Sequence, residues 1–341
     1  MKFDDTWSEF NPFDYLKNSE RSYLSDWALK GLETQSKKWL EAIEGPCFLR
    51  TGTPERISKD KNNPKQHTEL YIKRLNSNGK LFICIGESFT WCEGLYGLAS
   101  GATPPILNPL IQMFFTFQGR IAQKFNSDLR TVTYPGNSNT LMLQALDRVL
   151  LEIQNDESLK SRYNEIVILQ QFTDRSRCEY GHPETPWINS VYQSQANKKI
   201  LNDSRYVDFE KFLVYRLNLI LNKHKNLPLK CHVWRNFNPW ISEWSFDNIN
   251  KIALSMSEFK FLIQGLEVLE HPINCSSQFY LNKITGVLST EELEWLNSEI
   301  DKAEILFKFL YDNELGGHPK AELCIMWAKY LIDQGVKFDN Q

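Results

Sequence analysis

Two apolar rhythms alternate along this chain. From 20 to 45, ERSYLSDWALKGLETQSKKWLEAIEG sets Leu24, Trp27, Leu32, Trp39 and Ile43 at helical spacing and closes on a glycine, predicting an amphipathic helix. TGTPERISKDKNNPKQHTE, 51–69, is polar, carries two prolines and reads as an exposed loop. LFICI, 81–85, is a short unbroken apolar run, the pattern of a strand buried on both faces of a parallel sheet. TVTYP at 131–135, a helical NTLMLQALDRVLLEIQ at 139–154 and EIVILQQF at 165–172 continue as strand, helix and strand. A helix over 208–224 and a strand in LPLKCHVW, 227–234, follow. RNFNPWISEWSFDN and LEHPINCSSQFYLNK read as loops. TEELEWLNSEIDKAEILFKFLYDN and AELCIMWAKYLIDQG form two last helices around a GGHP turn at 316–319.

This alternation predicts an α/β protein built on a parallel sheet. Residues 1–79 are expected to be a helical N-terminal extension packed on the core. Residues 80–341 then form one α/β domain with an insertion, a cap over the sheet edge, at about 181–300.

Composition narrows the class. With 341 residues, 42% of them hydrophobic and 24% charged, the chain has the make-up of an ordinary globular protein able to bury a large core. Its 39 basic and 42 acidic residues give a formal charge of −3, so nothing global favours nucleic acid or an anionic membrane as partner. The start, MKFDDTWSEFNPFDYL, lacks a cationic segment followed by an apolar one, and no run approaches the ~18 apolar residues of a membrane span. A soluble, cytoplasmic protein is expected. Seven cysteines, several within apolar runs (Cys84, Cys231, Cys324), suit reduced thiols, and none are paired at CxxC spacing, so no metal site is expected. Nothing in the composition bears on oligomeric state.

The candidate chemistry begins where LFICI runs into Gly86-Glu87-Ser88. A serine on the turn after a buried parallel strand lies at the carboxyl edge of the sheet, exposed yet held, and a following helix can offer backbone N–H groups to an oxyanion. TYPGNSNTL, 133–141, forms a second such turn with Gly136, Asn137 and Asn139. Near the end, Gly317-His318-Pro319 precedes an amphipathic helix.

In this order the three blocks resemble those of the SGNH (GDSL-like) hydrolase superfamily, the GNSN form being familiar from bacterial and bacteriophage members. The resemblance covers roughly 80–180 and 305–335. It implies a three-layer α/β/α, flavodoxin-like sheet and a serine esterase or acyl hydrolase with no cofactor. Ser88 would be the nucleophile, His318 its base, and the backbone N–H groups of Ser88 and Gly136 oxyanion donors. Two blocks depart from the family pattern. If Asp174 aligns with the aspartate of Gly-x-Asn-Asp, Thr173 replaces the asparagine that donates to the oxyanion and Gln171 the glycine, leaving the Thr173 hydroxyl or the Gln170 or Gln171 amide as donor. Leu315 occupies the position of the acid that orients the histidine, leaving Glu314, with Asp312 as alternative, or a backbone carbonyl in that role. The substrate class implied is a small-molecule or glycan ester, with an O-acetylated glycan as the default. The rival reading is a catalytically impaired descendant whose crevice binds a carbohydrate, nucleotide or protein.

Other residues fall near the same edge. Asn137, Asn139, Asp174, Arg175, Arg177 and Trp91 are candidates for substrate binding, arginine offering a planar fork for a carboxylate or phosphate. Those arginines, with Glu179 and His182, are equally a solvated loop, or a nucleic-acid contact, the last-ranked option. The three tryptophans of VWRNFNPWISEW, 233–244, form either a stacking platform or a small core. His67, His224 and His271 read as ordinary surface histidines.

Overall fold

The computed structural model describes residues 8–10, 42–52, 67–87, 90, 116–133, 139–173, 205–236, 240, 243–256, 258–259 and 321–339. Their eight strands form one sheet: β1 (Ser8–Phe10), β2 (Cys47–Gly52), β3 (His67–Ile72), β4 (Lys80–Gly86), β5 (Asp128–Thr133), β6 (Glu165–Phe172), β7 (Leu229–Arg235) and β8 (Ile249–Lys251), in spatial order β1-β2-β3-β5-β4-β6-β7-β8. From β5 to β8 every neighbour is parallel, whereas β1, β2 and β3 add antiparallel on the β5 side.

The helices are α1 (Phe117–Phe125), α2 (Asn139–Asn155), α3 (Glu157–Arg162), α4 (Arg205–Lys223) and α5 (Ala321–Asp333). Local chemistry sets the ends of α1. Thr116 accepts a hydrogen bond from the Gly119 N–H at 3.1 Å, and Asn126 closes the helix in the left-handed region, which asparagine tolerates.

All seven residues of β4 are buried, and alternation splits them between two cores. Leu81, Ile83 and Ile85 pack with Met142, Leu146, Val149 and Leu150 of α2 and Val214 and Leu217 of α4. Phe82 and Cys84 join the other cluster, with Phe117 and Ile121 of α1 and Trp327 and Leu331 of α5. A strand covered on both faces needs no polar alternation, which is why LFICI reads as a continuous apolar run.

Several expectations change. Ile43 makes a β-bridge to Arg74 and Gly45 has a φ of 74°, so 43–45 are not helical. The loop expected at 51–69 is flanked by strand: 51–52 end β2 and 67–69 begin β3. Because β3 pairs with β5, the sheet runs straight across the boundary expected at 79/80. The insertion expected at 181–300 contains α4, β7 and β8, which are core elements; β7 pairs with β6 over seven residues, Ile166 opposite Leu229 through Phe172 opposite Arg235. Within that segment 181–204, 237–239, 241–242, 257 and 260–300 lie outside the described residues. INK at 249–251 is too short to announce a strand by its own pattern.

One buried ion cluster ties the antiparallel strands to the parallel part. Glu69 on β3 is fully buried and receives Arg50 of β2 at 2.6 Å, Arg130 of β5 at 2.6 Å and Arg148 of α2 at 2.7 Å. Glu152 of α2 pairs with the same three arginines. Burial pushes the Glu69 carboxyl up, but the three guanidiniums outweigh it and hold it down to about 2.

Candidate functional site

The sheet order places the site. The chain leaves β4 through α1 to β5 on one side, then crosses back through α2 to β6 on the other. Where successive connections diverge in an open parallel sheet, the helices part and leave a crevice beyond the carboxyl ends of the two central strands. Those strands are β4 and β6. Their ends carry Gly86, Glu87 and Thr90 on one side and Gln171, Phe172 and Thr173 on the other, with Arg235 ending β7 and Asn236 following it.

Apart from Gly86 and Phe172 these residues are polar, and all are buried. The Gln171 side-chain oxygen accepts from the Glu87 backbone N–H at 3.0 Å and from Thr90 Oγ1 at 2.6 Å. Gln171 Nε2 donates to Glu87 Oε1 at 3.2 Å, and Asn236 Nδ2 donates to the same oxygen at 2.6 Å. Gln118 of α1 donates to the Thr90 carbonyl at 2.8 Å. The packing explains Gly86: a Cβ there would lie 1.8 Å from Thr90 Oγ1 and 2.4 Å from Gln171 Oε1, distances no side chain tolerates. Glycine is required by close approach at this position rather than by backbone conformation.

Thr173 directly follows β6, and its backbone is clasped by Asn139 at the start of α2. The Thr173 N–H donates to Asn139 Oδ1 at 2.8 Å, and Asn139 Nδ2 reaches the Thr173 carbonyl at 3.5 Å. The Thr173 hydroxyl is buried with no hydrogen-bond partner among the described residues. At the end of β7, Arg235 pairs with Glu210 of α4 at 2.8 Å and lies over the Trp240 ring.

Of the residues singled out from the sequence, the structure therefore brings Gln171 against the Gly86-Glu87 turn and joins Asn139 to Thr173. Gln170 donates instead to the Gln171 carbonyl, at 2.8 Å. Ser88, Trp91, Gly136, Asn137, Asp174, Arg175, Arg177, Asp312, Glu314 and His318 lie outside the described residues, as do Glu179, His182 and His271. The tryptophans resolve toward core. Trp234 is fully buried against Phe117 and Trp327, while Trp240 is partly buried against Phe172 and Trp244 and donates to the Ile252 carbonyl at 2.8 Å. His224 is not a surface residue: it is fully buried, with Nδ1 2.6 Å from Gln154 and Nε2 2.8 Å from Asp147. His232 on β7 is also buried, without a partner among the described residues, and burial, then the nearby Lys230 charge, lowers its pKa to about 4.

Sequence reasoning missed Glu87, Thr90, Gln118 and Asn236. A signal existed for Glu87 and Asn236, since each directly follows a strand of the parallel set and so must lie at the ligand edge. Nothing local announces Gln118.

Among the described residues no helix is long and apolar enough to cross a membrane. Set against protein-family models, curated proteins and solved structures, the chain matches none.

Proposed function

We propose that this protein is a serine esterase or acyl hydrolase of the SGNH type, carried on a three-layer α/β/α, flavodoxin-like sheet. The observation that carries the reading is the position and construction of one turn. The parallel strands follow the spatial order second-first-third-fourth-fifth, and the residues just before Ser88 leave the first of them at the point where the connections diverge. There the Glu87 N–H and the Thr90 hydroxyl donate to the Gln171 side-chain oxygen at hydrogen-bond distances, which supports a held turn as the place of the nucleophile.

In this reading Ser88 Oγ forms a bond to the ester carbonyl carbon while its proton passes to His318. The tetrahedral intermediate collapses, the C–O bond to the alcohol breaks, and the alcohol leaves with the proton from His318. Water, deprotonated by His318, then releases the acid and restores Ser88. Glu314, or Asp312, orients the histidine. The backbone N–H groups of Ser88 and Gly136 stabilise the oxyanion. The side-chain donor favoured is the Thr173 hydroxyl, which is buried just past β6 without a hydrogen-bond partner among the described residues, whereas the Gln171 amide already gives one N–H to Glu87 and its oxygen accepts from Thr90. An ester of a glycan or small alcohol is the substrate class, a choice resting on analogy with the family.

That same engagement of Gln171 favours a second reading, in which the crevice binds a carbohydrate, nucleotide or protein without turning it over. Hydrolysis of p-nitrophenyl acetate and labelling by a fluorophosphonate separate the two. The esterase reading expects turnover and labelling by the wild type and neither by Ser88→Ala; equal rates for the two proteins, with no label on Ser88, would overturn it.

A further inference from the structure

The chain passes from β3 to β4 through Arg74-Leu75-Asn76-Ser77-Asn78-Gly79, at the opposite end of β4 from Gly86. Asn78 and Gly79 both have positive φ, 53° and 76°, and the Lys80 N–H donates to the Ser77 carbonyl at 3.0 Å. Those are the marks of a type I′ turn, whose favoured central pair is Asn-Gly. Glycine is needed here twice over: its φ is left-handed, and a Cβ would lie 2.8 Å from Asn164 Cγ. The Gly79 carbonyl accepts from the N–H groups of Asn164 at 2.9 Å and Glu165 at 3.2 Å, which ties the turn to the start of β6.

An asparagine amide is open to attack by the next backbone nitrogen, and most so before glycine, which has no side chain to shield that nitrogen. Asn78 is exposed, and among the described residues neither its side-chain amide nor the Gly79 N–H makes a hydrogen bond. Asn76 is the contrast within the same loop. It too is exposed, with a φ of 60°, but the nitrogen that follows it belongs to buried Ser77 and donates to the Arg74 carbonyl at 3.4 Å.

We propose that Asn78-Gly79 is a site of spontaneous deamidation, at which the chain modifies its own backbone with water as the only co-reactant. The Gly79 nitrogen gives its proton to solvent and bonds to Asn78 Cγ. The Cγ–Nδ2 bond breaks, and ammonia leaves with a proton from solvent, closing a succinimide ring. Water then adds to one of the two ring carbonyls. Breaking the bond from Cγ to the Gly79 nitrogen yields aspartate at 78; breaking the bond from the main-chain carbonyl carbon to that nitrogen yields isoaspartate, whose backbone runs through Cγ and is one carbon longer. The fold sets the rate: in a type I′ turn the asparagine ψ of about 30° points the next nitrogen away from the side chain, so ring closure waits for the turn to open. The longer isoaspartyl backbone cannot remake every bond of the turn, and the first residues of β4 loosen.

The test incubates the full chain, the free peptide 75–80 and the chain unfolded in urea side by side at mildly alkaline pH. Trypsin cuts after Arg74 and Lys80, so Asn76 and Asn78 leave on one peptide, whose fragment masses place each conversion. Methyl transfer from S-adenosylmethionine by an isoaspartyl methyltransferase scores the isoaspartate. Expected is conversion at Asn78 and not at Asn76, about tenfold slower in the full chain than in the peptide, with the urea-unfolded chain matching the peptide. Amide exchange at 80–82 should be about tenfold faster in isoaspartyl chains than in unconverted ones and unchanged in Asn78→Asp, which adds the charge without lengthening the backbone. An Asn78 still intact after about 10² peptide half-lives, or converting no faster than Asn76, overturns the proposal. Conversion of the full chain at the peptide's own rate refutes control by the turn, and equal exchange in isoaspartyl and unconverted chains refutes the loosening of β4.

Discussion

Gly86→Ala isolates the close approach on which the site is built. The added carbon would sit 1.8 Å from Thr90 Oγ1, 2.4 Å from Gln171 Oε1 and 2.5 Å from Thr90 Cβ. Gln171 is a flexible side chain that can retreat, but Thr90 is short and fully buried, so relieving its contact must move the backbone of the turn by about 1 Å. Overpacking of this kind costs about 1–3 kcal/mol. Losing the bonds from Thr90 and from the Glu87 N–H to Gln171 adds about 1 kcal/mol each. The sum is a destabilisation of about 3–5 kcal/mol. Urea unfolding at pH 7, followed by tryptophan fluorescence and circular dichroism, measures it. Gly45→Ala is the control, because Gly45 has a positive φ of 74° with nothing within 4 Å of its added carbon, and so pays only the backbone term of about 1 kcal/mol. If Gly86→Ala loses no more stability than Gly45→Ala, the tight turn is not there and the reasoning about Gly86 fails. In the folded fraction, ester hydrolysis by Gly86→Ala should fall about 10²-fold.

Other consequences can be measured separately. Glu69 has its carboxyl held from 4.5 down to about 2, so its contribution of about 3 kcal/mol is present above pH 4.5 and lost as pH falls toward 2; Glu69→Gln should flatten that limb of the acid denaturation curve while costing about 3–5 kcal/mol at pH 7 by leaving buried guanidiniums without their counter-charge. His232 has a folded pKa of about 4 against 6.5 unfolded, so the native state loses stability as pH falls below 6.5, until the folded form protonates near 4; His232→Leu should remove that slope, and an unchanged slope between pH 6.5 and 4 would contradict the burial of the ring. Asn139→Ala leaves the buried Thr173 N–H without its acceptor and should cost about 1–3 kcal/mol in urea. Cys47, Cys84, Cys231 and Cys324 are buried, and burial raises the thiol pKa of Cys47 to about 12 and pushes Cys84 and Cys231 up as well. Those four should react with a thiol reagent only on unfolding, as mass spectrometry of labelled peptides would show.

Pattern alone determined the strands buried on both faces and the helix packed on them by one face. LFICI, the IVIL run of 166–169 and the helix from 139 are legible because a strand covered on both faces reads as a continuous apolar run, and a helix between sheet and solvent must be apolar on one stripe. The same pattern put the Gly-Glu-Ser turn at the carboxyl end of a parallel strand. It could not read the antiparallel strands, because Arg50, Glu69 and Arg130 are buried as an ion cluster that looks on paper like solvent-exposed polarity. His224 was hidden for the same reason, its polar ring being satisfied by Asp147 and Gln154 from another helix.

What only the tertiary structure decided is who meets whom at the sheet edge. Strand order brings Gln171 and Asn236 to Glu87 across 84 and 149 residues of chain. No periodicity encodes that neighbourhood, because each residue's own segment is complete without it. The sequence marked where the Gly-Glu-Ser turn stands, and the pairing of β4, β6 and β7 decided that Gln171 and Asn236 meet Glu87 there.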